Sequence, residues 1–232
     1  MDRDALSIII PAAGIGRRMK SYGPKSTINL GNGEVVISRQ IALLRDEFPN
    51  AEIIVVTGFE HDRVVRALPK GVHTVYNNAY KDCNVAYSIY VGLEACSYTD
   101  NLIVYGDLVF NRETLQELPN KSFVICDNKE QMRETEVGVT VIDGTATQFS
   151  YGLPTKWAQI AYLQEAESEM FYHFAYPKNK HKLFGFEILN LIINNGGTLH
   201  AIEPNGMCIA EIDTSKDIEL ARRIANENTR KF

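Results

Sequence analysis

The sequence predicts an α/β fold in which a mainly parallel sheet is flanked by helices and carries a β-rich insertion. Over roughly the first 110 residues, short apolar runs that suit buried strands alternate with segments of helical periodicity. Further along, strand-like runs are joined by turn residues such as Asp143-Gly144. The first pattern is typical of βαβ units around a parallel sheet, and the second indicates hairpins.

The first half contains four predicted strands and three predicted helices. The strands are predicted at residues 6–13, 52–57, 72–76 and 102–105. The helices are predicted at residues 35–48, 62–68 and 85–96. In the first helix, apolar side chains recur at spacings of i, i+4, i+7 and i+11, at Ile37, Ile41, Leu44 and Phe48. This spacing places them on one helical face.

The second half is predicted to be richer in strands. These lie at residues 122–126, 137–142, 145–151, 157–163, 198–202 and 209–212. A helix at 183–194 ends in Asn-Asn-Gly-Gly, which suits a C-cap, and a last helix is predicted from Ser215. Because no linker or repeat interrupts the chain, we expect one domain over residues 1–232. Its parts are residues 1–120, a β-rich part at 121–182 and a C-terminal part at 183–232.

Composition and charge exclude several classes of protein. Apolar residues make up 45% of the chain, which argues against disorder, and the longest apolar runs are too short to span a bilayer. The net charge of −5 disfavours a nucleic-acid partner, whose binding surface is normally basic. Four widely spaced cysteines are typical of reduced thiols, and the N-terminus lacks a basic secretory signal. We therefore expect a cytoplasmic protein that binds neither nucleic acid nor membranes.

A glycine-rich basic loop follows the first predicted strand. Between Ala12 and Gly33 the chain has five glycines and four basic residues but no acidic residue. Glycine lets the backbone approach a ligand closely, and arginine and lysine match the charge of phosphate. Open α/β sheets bind ligands at the carboxyl ends of their strands, where this loop lies. We therefore interpret it as a phosphate-binding loop rather than as a solvated loop with chance charges.

The loop does not follow either of two common phosphate-binding patterns. A dinucleotide fingerprint needs glycine or alanine where this chain has Met19. A P-loop needs glycine directly before Lys-Ser, but Pro24 precedes Lys25 here. We therefore expect phosphate to bind by another scheme.

The same loop carries a longer motif. Residues 12–19 read A-A-G-x-G-x-R-M and are followed by Pro24-Lys25. This pattern resembles the signature of the sugar-phosphate nucleotidyltransferase superfamily, and most of the chain is similar to its phosphocholine cytidylyltransferase-like members. The resemblance implies a Rossmann-like (GT-A-like) sheet and a loop that wraps a nucleoside triphosphate. It implies catalytic, phosphate-binding roles for Arg18 and Lys25, and nucleotide contacts for Ala12, Ala13, Gly14, Gly16 and Arg17.

Two aspartates are candidate ligands for Mg²⁺. Asp107 directly follows a predicted strand and should lie beside the loop, whereas Asp213 precedes the last predicted helix. Each could instead be a turn residue or a helix cap. The resemblance implies a metal-binding aspartate at both places, the second within an E-I-D-T-x-x-D segment that matches residues 211–217. Such carboxylates hold Mg²⁺ against the phosphates of the substrate, and Asp217 is expected to be structural.

Residues 80–88 resemble the family stretch that opens a helix beside the base and ribose. Asn84 and Ser88 are four residues apart and therefore share one helical face. Both could hydrogen-bond a pyrimidine, but an N-cap role for Asn84 and no ligand role for Ser88 are nearly as compatible with the sequence. From the resemblance alone we expect CTP.

The expected activity is transfer of a nucleoside monophosphate, CMP from CTP, to a small phosphorylated acceptor with release of pyrophosphate. Glu136 and Trp157 in the β-rich part are the expected acceptor contacts. Two other classes stay open. A GT-A-type glycosyltransferase would normally show Asp-x-Asp where this chain has Tyr105-Gly106-Asp107, and a non-catalytic nucleotide sensor would not need the intact charged set. The sequence leaves the oligomeric state open, and a homo-oligomer is compatible with it.

The segment around Glu136 bears on the identity of the acceptor. Phosphocholine-specific members carry a tryptophan just after an acidic residue there, whereas Glu136 is followed by Val137. A quaternary ammonium is usually held by aromatic rings, so we expect a primary amine, amino-acid or sugar phosphate to be preferred over phosphocholine. Rings from other segments could still form a cage, namely Trp157, Tyr162, Phe171 and Tyr172.

Overall fold

The computed structural model describes residues 5–31, 33–128 and 134–227. The strands of the first half are β1 (Leu6–Ala12), β2 (Glu52–Thr57), β3 (His73–Tyr76), β4 (Asp100–Val104) and β5 (Leu108–Phe110). Its helices are α1 (Val36–Glu47), α2 (His61–Ala67) and α3 (Val85–Leu93). The second half adds strands β6 (Phe123–Asp127), β7 (Val137–Ile142), β8 (Thr145–Tyr151), β9 (Thr155–Leu163), β10 (Leu199–Ile202) and β11 (Ile209–Glu211). Its helices are α4 (Glu165–Ala175), α5 (Gly185–Asn194) and α6 (Asp217–Glu227).

Four parallel strands form one side of a nine-stranded sheet, in the order β3-β2-β1-β4. β1 is a central strand because it pairs with β2 on one side and with β4 on the other. Its side chains alternate between two apolar clusters, with Ile8 and Ile10 in one and Ile9 in the other. Burial on both faces explains why this strand has a continuous apolar sequence.

Helices cover both faces of the sheet. The apolar face predicted for α1 is fully buried, as its spacing indicates, with Ile37, Ile41, Leu44 and Phe48 all inaccessible. α3, α4 and α5 pack on the other face through a cluster that includes Ile89, Phe171 and Ile188. Among the helices of the described ranges, none is both long and apolar enough to cross a membrane.

The β-rich part extends the same sheet in the order β4-β9-β6-β10-β8-β7. β9 runs antiparallel between β4 and β6, and its first residues also pair with β7. The pairings β9-β6-β10-β8-β7-β9 therefore form a closed circuit of five strands. Asp143 and Gly144 join β7 to β8 with φ angles of 49° and 72°. These positive angles suit a two-residue hairpin turn, so the hairpin predicted there is confirmed.

The fold class predicted from the sequence is confirmed, although among the named strands of the described residues only β1–β4 and the pair of β6 and β10 are parallel. Sequence reasoning missed two elements, β5 and α4. β5 is only three residues long, and α4 buries only Ser168, Phe171 and Ala175. A short strand and a helix with so few buried apolar side chains give weak periodic signals.

Candidate active site

A cavity of about 530 Å³ lies at the carboxyl ends of β1 and β4. The glycine-rich loop borders it on one side, and the β-rich part and the start of α5 border it on the other. All predicted site residues whose side chains are described border this cavity, namely Ala12, Ala13, Gly14, Gly16, Lys25, Asn84, Ser88, Asp107, Glu136, Trp157 and Asp213. The side chains of Arg17 and Arg18 lie outside the part of the chain that the structure describes, so their roles stay predictions.

The glycine-rich loop offers bare backbone to the cavity. Gly16 adopts the left-handed conformation with a φ of 58°, and its carbonyl accepts a 2.7 Å hydrogen bond from the amide of Met19. A Cβ on Gly16 would lie 3.4 Å from Cγ of Lys25, and the residue would be strained at this φ. At Gly14 a Cβ would meet no atom within 4 Å, so the backbone there is uncovered. Backbone that a ligand can approach this closely suits an anion, which backbone amides can bind.

Lys25 is the electrostatic centre of the site. Its Nζ lies 2.8 Å from Oδ2 of Asp107 and 2.7 Å from Oδ1 of Asp213. The side chains of these three residues are 17%, 20% and 33% exposed. Burial by itself lowers the pKa of the Lys25 ammonium, but the charges of the two aspartates and their hydrogen bonds outweigh burial and raise this pKa above its usual value. Lys25 is therefore a cation held between two carboxylates.

Backbone pairing explains why the two aspartates meet although they are far apart in sequence. β5 and β11 form a small antiparallel sheet in which Leu108 pairs with Glu211. The amide of Ile212 also donates a 3.0 Å hydrogen bond to the carbonyl of Asp107. Because Asp107 precedes β5 and Asp213 follows β11, antiparallel pairing places both at the same end of this sheet. The strand that sequence reasoning missed is thus the one that assembles the site.

The turn that carries Asp107 is fixed from two directions. Gln40, buried in α1, donates hydrogen bonds of 2.8 Å from Nε2 to the carbonyls of Tyr105 and Leu108. On the other side, a Cβ on Gly106 would lie 2.9 Å from the carbonyl oxygen of Pro11, so the turn can approach β1 only with glycine there. Sequence reasoning did not identify Gln40, because no local motif marks a polar residue on a buried helix face.

Glu211 completes a cluster of three carboxylates. One oxygen from each of Asp107, Glu211 and Asp213 lies within 4.8 Å of the other two. Burial, followed by the charges of the two aspartates, raises the pKa of Glu211 to about 8. Carboxylate oxygens are the protein ligands that Mg²⁺ prefers, so the donor set fits a divalent cation. The sequence motif included Glu211 but gave no reason to select it as a ligand.

Asp217 has the structural role that the sequence predicts for it. Its Oδ2 accepts hydrogen bonds from the amides of Asp213 and Thr214, at 3.0 Å and 2.6 Å, and from the Thr214 hydroxyl at 3.0 Å. These bonds fix the backbone between β11 and α6. Asp217 thereby orders the segment that presents Asp213 to the cavity.

The start of α3 forms another wall of the cavity. Nδ2 of Asn84 donates to the carbonyl of Lys182, so this side chain connects α3 to the segment before α5 and does not cap its own helix. Ser88 is buried and accepts a 3.0 Å hydrogen bond from Nδ2 of Asn77. Sequence reasoning missed Asn77, which fixes the Ser88 hydroxyl. Contact between Asn84 or Ser88 and a base stays a prediction.

The opposite wall carries a charged pair and aromatic rings. Nζ of Lys156 lies 2.9 Å from Oε1 of Glu136, and the Lys156 side chain is only 9% exposed. Tyr151, Phe184 and Phe186 line the same wall. Phe186 contacts Tyr151 edge-on at 5.5 Å and stacks on Phe184 at 5.9 Å. Tyr151 and Phe184 are exposed, so this wall presents accessible aromatic surface.

The rings that the sequence suggested for a cage lie mostly elsewhere. Trp157 borders the cavity but is 4% exposed, and it packs against core residues. Tyr162 and Phe171 are buried in the core, and Tyr172 packs against Tyr90 at 4.9 Å without bordering the cavity. The suggestion of a cage from these last three rings is therefore wrong. A sequence does not distinguish aromatic residues of the core from those of a cavity wall when both lie in regular elements.

The fold and the site define a class of protein. A glycine-rich loop after a central parallel strand, with a lysine and three carboxylates beside it, suits phosphate groups and a divalent cation. The model of the MobA-like NTP transferase domain matches residues 8–169. The chain therefore belongs to this family, and its general activity is nucleotidyl transfer from a nucleoside triphosphate.

Many solved structures share the fold, among them the three that follow. The CTP:phosphocholine cytidylyltransferase from Streptococcus pneumoniae (LicC) has a TM-score of 0.74 at 22% identity, covering 95% of this chain and 99% of its own. The inositol-1-phosphate CTP transferase from T. maritima has a TM-score of 0.77 at 16% identity, covering 95% and 96%. A Bacillus anthracis structure assigned as a glucose-1-phosphate thymidylyltransferase has a TM-score of 0.77 at 18% identity, covering 96% of each chain. Among curated proteins, no sequence matches the chain significantly.

Proposed function

We propose that the protein transfers CMP from CTP to a small phosphorylated acceptor and releases pyrophosphate. The observation that carries this proposal is the contact of Lys25 with both Asp107 and Asp213 beside the glycine-rich loop. These groups lie at the carboxyl edge of the parallel strands, where sheets of this kind bind nucleotides. Membership of the family supports nucleotidyl transfer in general. The choice of CTP as the nucleotide and the choice of acceptor are part of this proposal and do not follow from the family.

In this arrangement the triphosphate follows the glycine-rich loop. The backbone at Gly14, which no side chain covers, and at Gly16, beside the Lys25 stem, would face its phosphates. Arg18, by resemblance, binds the β- and γ-phosphates, since a guanidinium can hold two phosphate oxygens at once. The base then lies towards Asn84 and Ser88, and the acceptor lies towards Glu136.

The reaction joins two anions. A phosphate oxygen of the acceptor attacks the α-phosphorus in line and forms a new P–O bond. The bond from the α-phosphorus to the oxygen that bridges the α- and β-phosphates breaks, and pyrophosphate leaves with that electron pair. Because the acceptor is already an anion, this step needs no protein nucleophile and no strong base. The protein contributes positioning and charge neutralisation.

Lys25 has two successive partners in this proposal. In the structure its ammonium donates hydrogen bonds to Asp107 and Asp213. If these carboxylates held a divalent cation instead, the ammonium would be free to turn towards the loop, beside which its stem already packs at Gly16. There it stabilises the negative charge that grows around the α-phosphorus during transfer.

Asp107, Asp213 and Glu211 would hold Mg²⁺. Their oxygens lie close enough together for one ion, and Mg²⁺ usually combines one or two carboxylates with substrate phosphates and water. Bound there, Mg²⁺ would neutralise charge on the α-phosphate and on the leaving pyrophosphate.

Lys156 supports a phosphorylated acceptor. Its ammonium lies beside Glu136 and borders the same cavity as Glu211, and its positive charge opposes the rise in the pKa of Glu211. An acceptor phosphate next to Lys156 would be partly neutralised and would face the α-phosphate. The organic part of the acceptor would then meet Glu136, Tyr151 and Phe184.

CTP is proposed from two observations. Of the three solved structures described above, two are named for CTP and one for thymidylyl transfer, and these names support a pyrimidine nucleotide. The polar side chains of Asn84 and Ser88 border the cavity where a pyrimidine edge could accept or donate hydrogen bonds.

Pyrophosphate release tests the proposal. The measurement uses each of the four NTPs with phosphocholine, phosphoethanolamine, phosphoserine and sugar 1-phosphates. We expect release that depends on CTP, Mg²⁺ and an acceptor, and that is lost in Asp213→Asn. Transfer or hydrolysis of a nucleotide-sugar without pyrophosphate release would identify a glycosyltransferase. Binding of NTP without turnover on any acceptor would identify a nucleotide sensor, and either result would overturn the proposal.

A further inference from the structure

Gln159 has an unusual backbone conformation for a residue in the middle of a strand. Its φ is 57°, in the left-handed region that residues other than glycine rarely adopt. β9 continues on both sides of it. Strained residues of this kind cluster at functional sites, where the surrounding structure holds them. Gln159 borders the cavity described above.

A bulge in β9 accounts for this conformation. β6 pairs Val124 with Ala161 but pairs Cys126 with Trp157. Residues 158–160 of β9 therefore face a single residue of β6, which lies at position 125. Bulges redirect side chains beside active sites, and this one includes Gln159.

Two contacts connect Gln159 to the carboxylate cluster. Its Nε2 donates a 2.5 Å hydrogen bond to Oε2 of Glu211. Its backbone carbonyl accepts a 3.4 Å hydrogen bond from the amide of Tyr105, which lies in the turn that carries Asp107. One residue of β9 thus contacts both segments that present the carboxylates.

We propose that Gln159 is a positioning residue that holds Glu211 in the orientation needed to bind the divalent cation. The inference rests on the proposed function. The place requires a hydrogen-bond donor, because a glutamate would repel Glu211 and a leucine could not donate to it. Glycine would adopt this φ without strain but has no side chain to reach Glu211. The hydrogen bond to Glu211 therefore explains why a strained glutamine stands here.

Binding of Mn²⁺ by the full chain in the presence of CTP, without acceptor, tests this inference by electron paramagnetic resonance. We expect Gln159→Gly to weaken Mn²⁺ binding about 10- to 100-fold, the usual cost of losing a group that orients a metal ligand. Its melting temperature should stay close to that of the wild type, because relief of the strain at positive φ offsets the loss of the hydrogen bond to Glu211. Asparagine tolerates the same φ, but its side chain is one methylene shorter than that of glutamine. Gln159→Asn should therefore show the same loss of Mn²⁺ binding.

Asp143→Gly is the matched control. Asp143 also has a positive φ, of 49°, but it lies in the hairpin turn and does not border the cavity. Glycine there should relieve the same kind of strain and leave Mn²⁺ binding unchanged. The inference is overturned if the Mn²⁺ affinity of both Gln159 variants is within about threefold of the wild-type value. Loss of a group that orients a metal ligand should change the affinity far more than this. It is also overturned if binding weakens only together with the melting temperature. Absence of CTP-dependent Mn²⁺ binding in the wild type would overturn the proposed function as well.

Discussion

The two ends of the cavity, which we propose to be the nucleotide end and the acceptor end, are built in different ways. The nucleotide end consists of one continuous loop after β1 and of two segments that pairing between β5 and β11 brings together. Among its described side chains, Lys25 contacts both Asp107 and Asp213, and all three are partly buried. The acceptor end consists of side chains from separate strands of the β-rich part and from the start of α5. Two of its aromatic rings, Tyr151 and Phe184, are exposed.

This difference in construction indicates that the nucleotide end carries out the transfer and that the acceptor end determines which acceptor is used. Transfer of a nucleoside monophosphate needs the same charges in the same places whatever the acceptor is, and backbone pairing fixes those charges. Exposed side chains at the acceptor end can change without disturbing the sheet. We therefore expect changes at the nucleotide end to lower kcat for every acceptor, and changes at the acceptor end to alter mainly the KM for the acceptor.

The largest effect is expected for the two aspartates. Asp107→Asn and Asp213→Asn should each lower kcat by orders of magnitude, because each removes one charge from the proposed metal site. The fold should survive, since both side chains are partly exposed and not part of the apolar core. Steady-state kinetics with CTP and the best acceptor, together with the melting temperature, measure both properties.

Asp143→Asn is a suitable control for these variants. It makes the same chemical change in the hairpin turn, at a residue that does not border the cavity. Near-normal kcat in Asp107→Asn or Asp213→Asn would remove that residue from the site.

The second largest effect is expected for Lys25→Ala. The charge of Lys25 matters most as the α-phosphate becomes more anionic, so kcat should fall about 10²- to 10³-fold while the KM for CTP changes less. Lys81→Ala is the matched control, because Lys81 borders the same cavity but its described contact is with the Tyr80 ring. A Lys25→Ala enzyme altered only in its KM for CTP would show that Lys25 acts in binding and not in the chemical step.

The two ends also differ in how far the sequence predicts them. Lys25 and its neighbours lie within one short motif, and Asp107 directly follows a strand, so sequence patterns identify them. Glu211, Gln40 and Gln159 act through contacts between distant segments, which no local pattern records. The sequence did not predict the aromatic wall of Tyr151, Phe184 and Phe186 either, because its rings come from distant segments that meet only in the fold.

A third prediction concerns competition between the Lys25 ammonium and a divalent cation for the carboxylate cluster, measured without added nucleotide. The ammonium of Lys25 lies between Asp107 and Asp213, so it should compete with a divalent cation for both carboxylates. Lys25→Met should therefore bind Mn²⁺ alone about tenfold more tightly than the wild type, a difference of about 1.4 kcal/mol. Electron paramagnetic resonance of Mn²⁺ without nucleotide measures this, with Lys81→Met as the control. Unchanged or weaker binding in Lys25→Met would contradict the competition.

A smaller effect is expected at the acceptor end. Tyr151→Ala should raise the KM for the acceptor about 3- to 30-fold if its ring contacts an ammonium group, given the strength of such contacts. The KM for CTP should not change, because Tyr151 lies on the wall opposite the loop. Tyr98→Ala removes another exposed tyrosine, one that does not border the cavity, and should change neither constant. An increase in the KM for CTP alone would place Tyr151 at the nucleotide end.

The smallest expected effect is the choice between acceptors that differ only in methylation of their nitrogen. Phosphoethanolamine can donate hydrogen bonds from its ammonium to Glu136, whereas phosphocholine has no N–H group. The resemblance described in the sequence analysis places Val137 where phosphocholine-specific members carry tryptophan. Phe186 contacts the rings of both Tyr151 and Phe184 along one wall.

We therefore expect phosphoethanolamine or another primary-amine, amino-acid or sugar phosphate to be used several-fold faster than phosphocholine at equal concentrations, measured from the ratio of products in one reaction. If the favoured acceptor is a primary amine, Glu136→Gln should reduce that preference, because it removes the negative charge that pairs with the ammonium. A clear preference for phosphocholine would contradict the prediction and would show that the aromatic wall binds a quaternary ammonium by cation–π attraction. In that case Tyr151→Ala should reduce the rate of phosphocholine use more than the rate of phosphoethanolamine use.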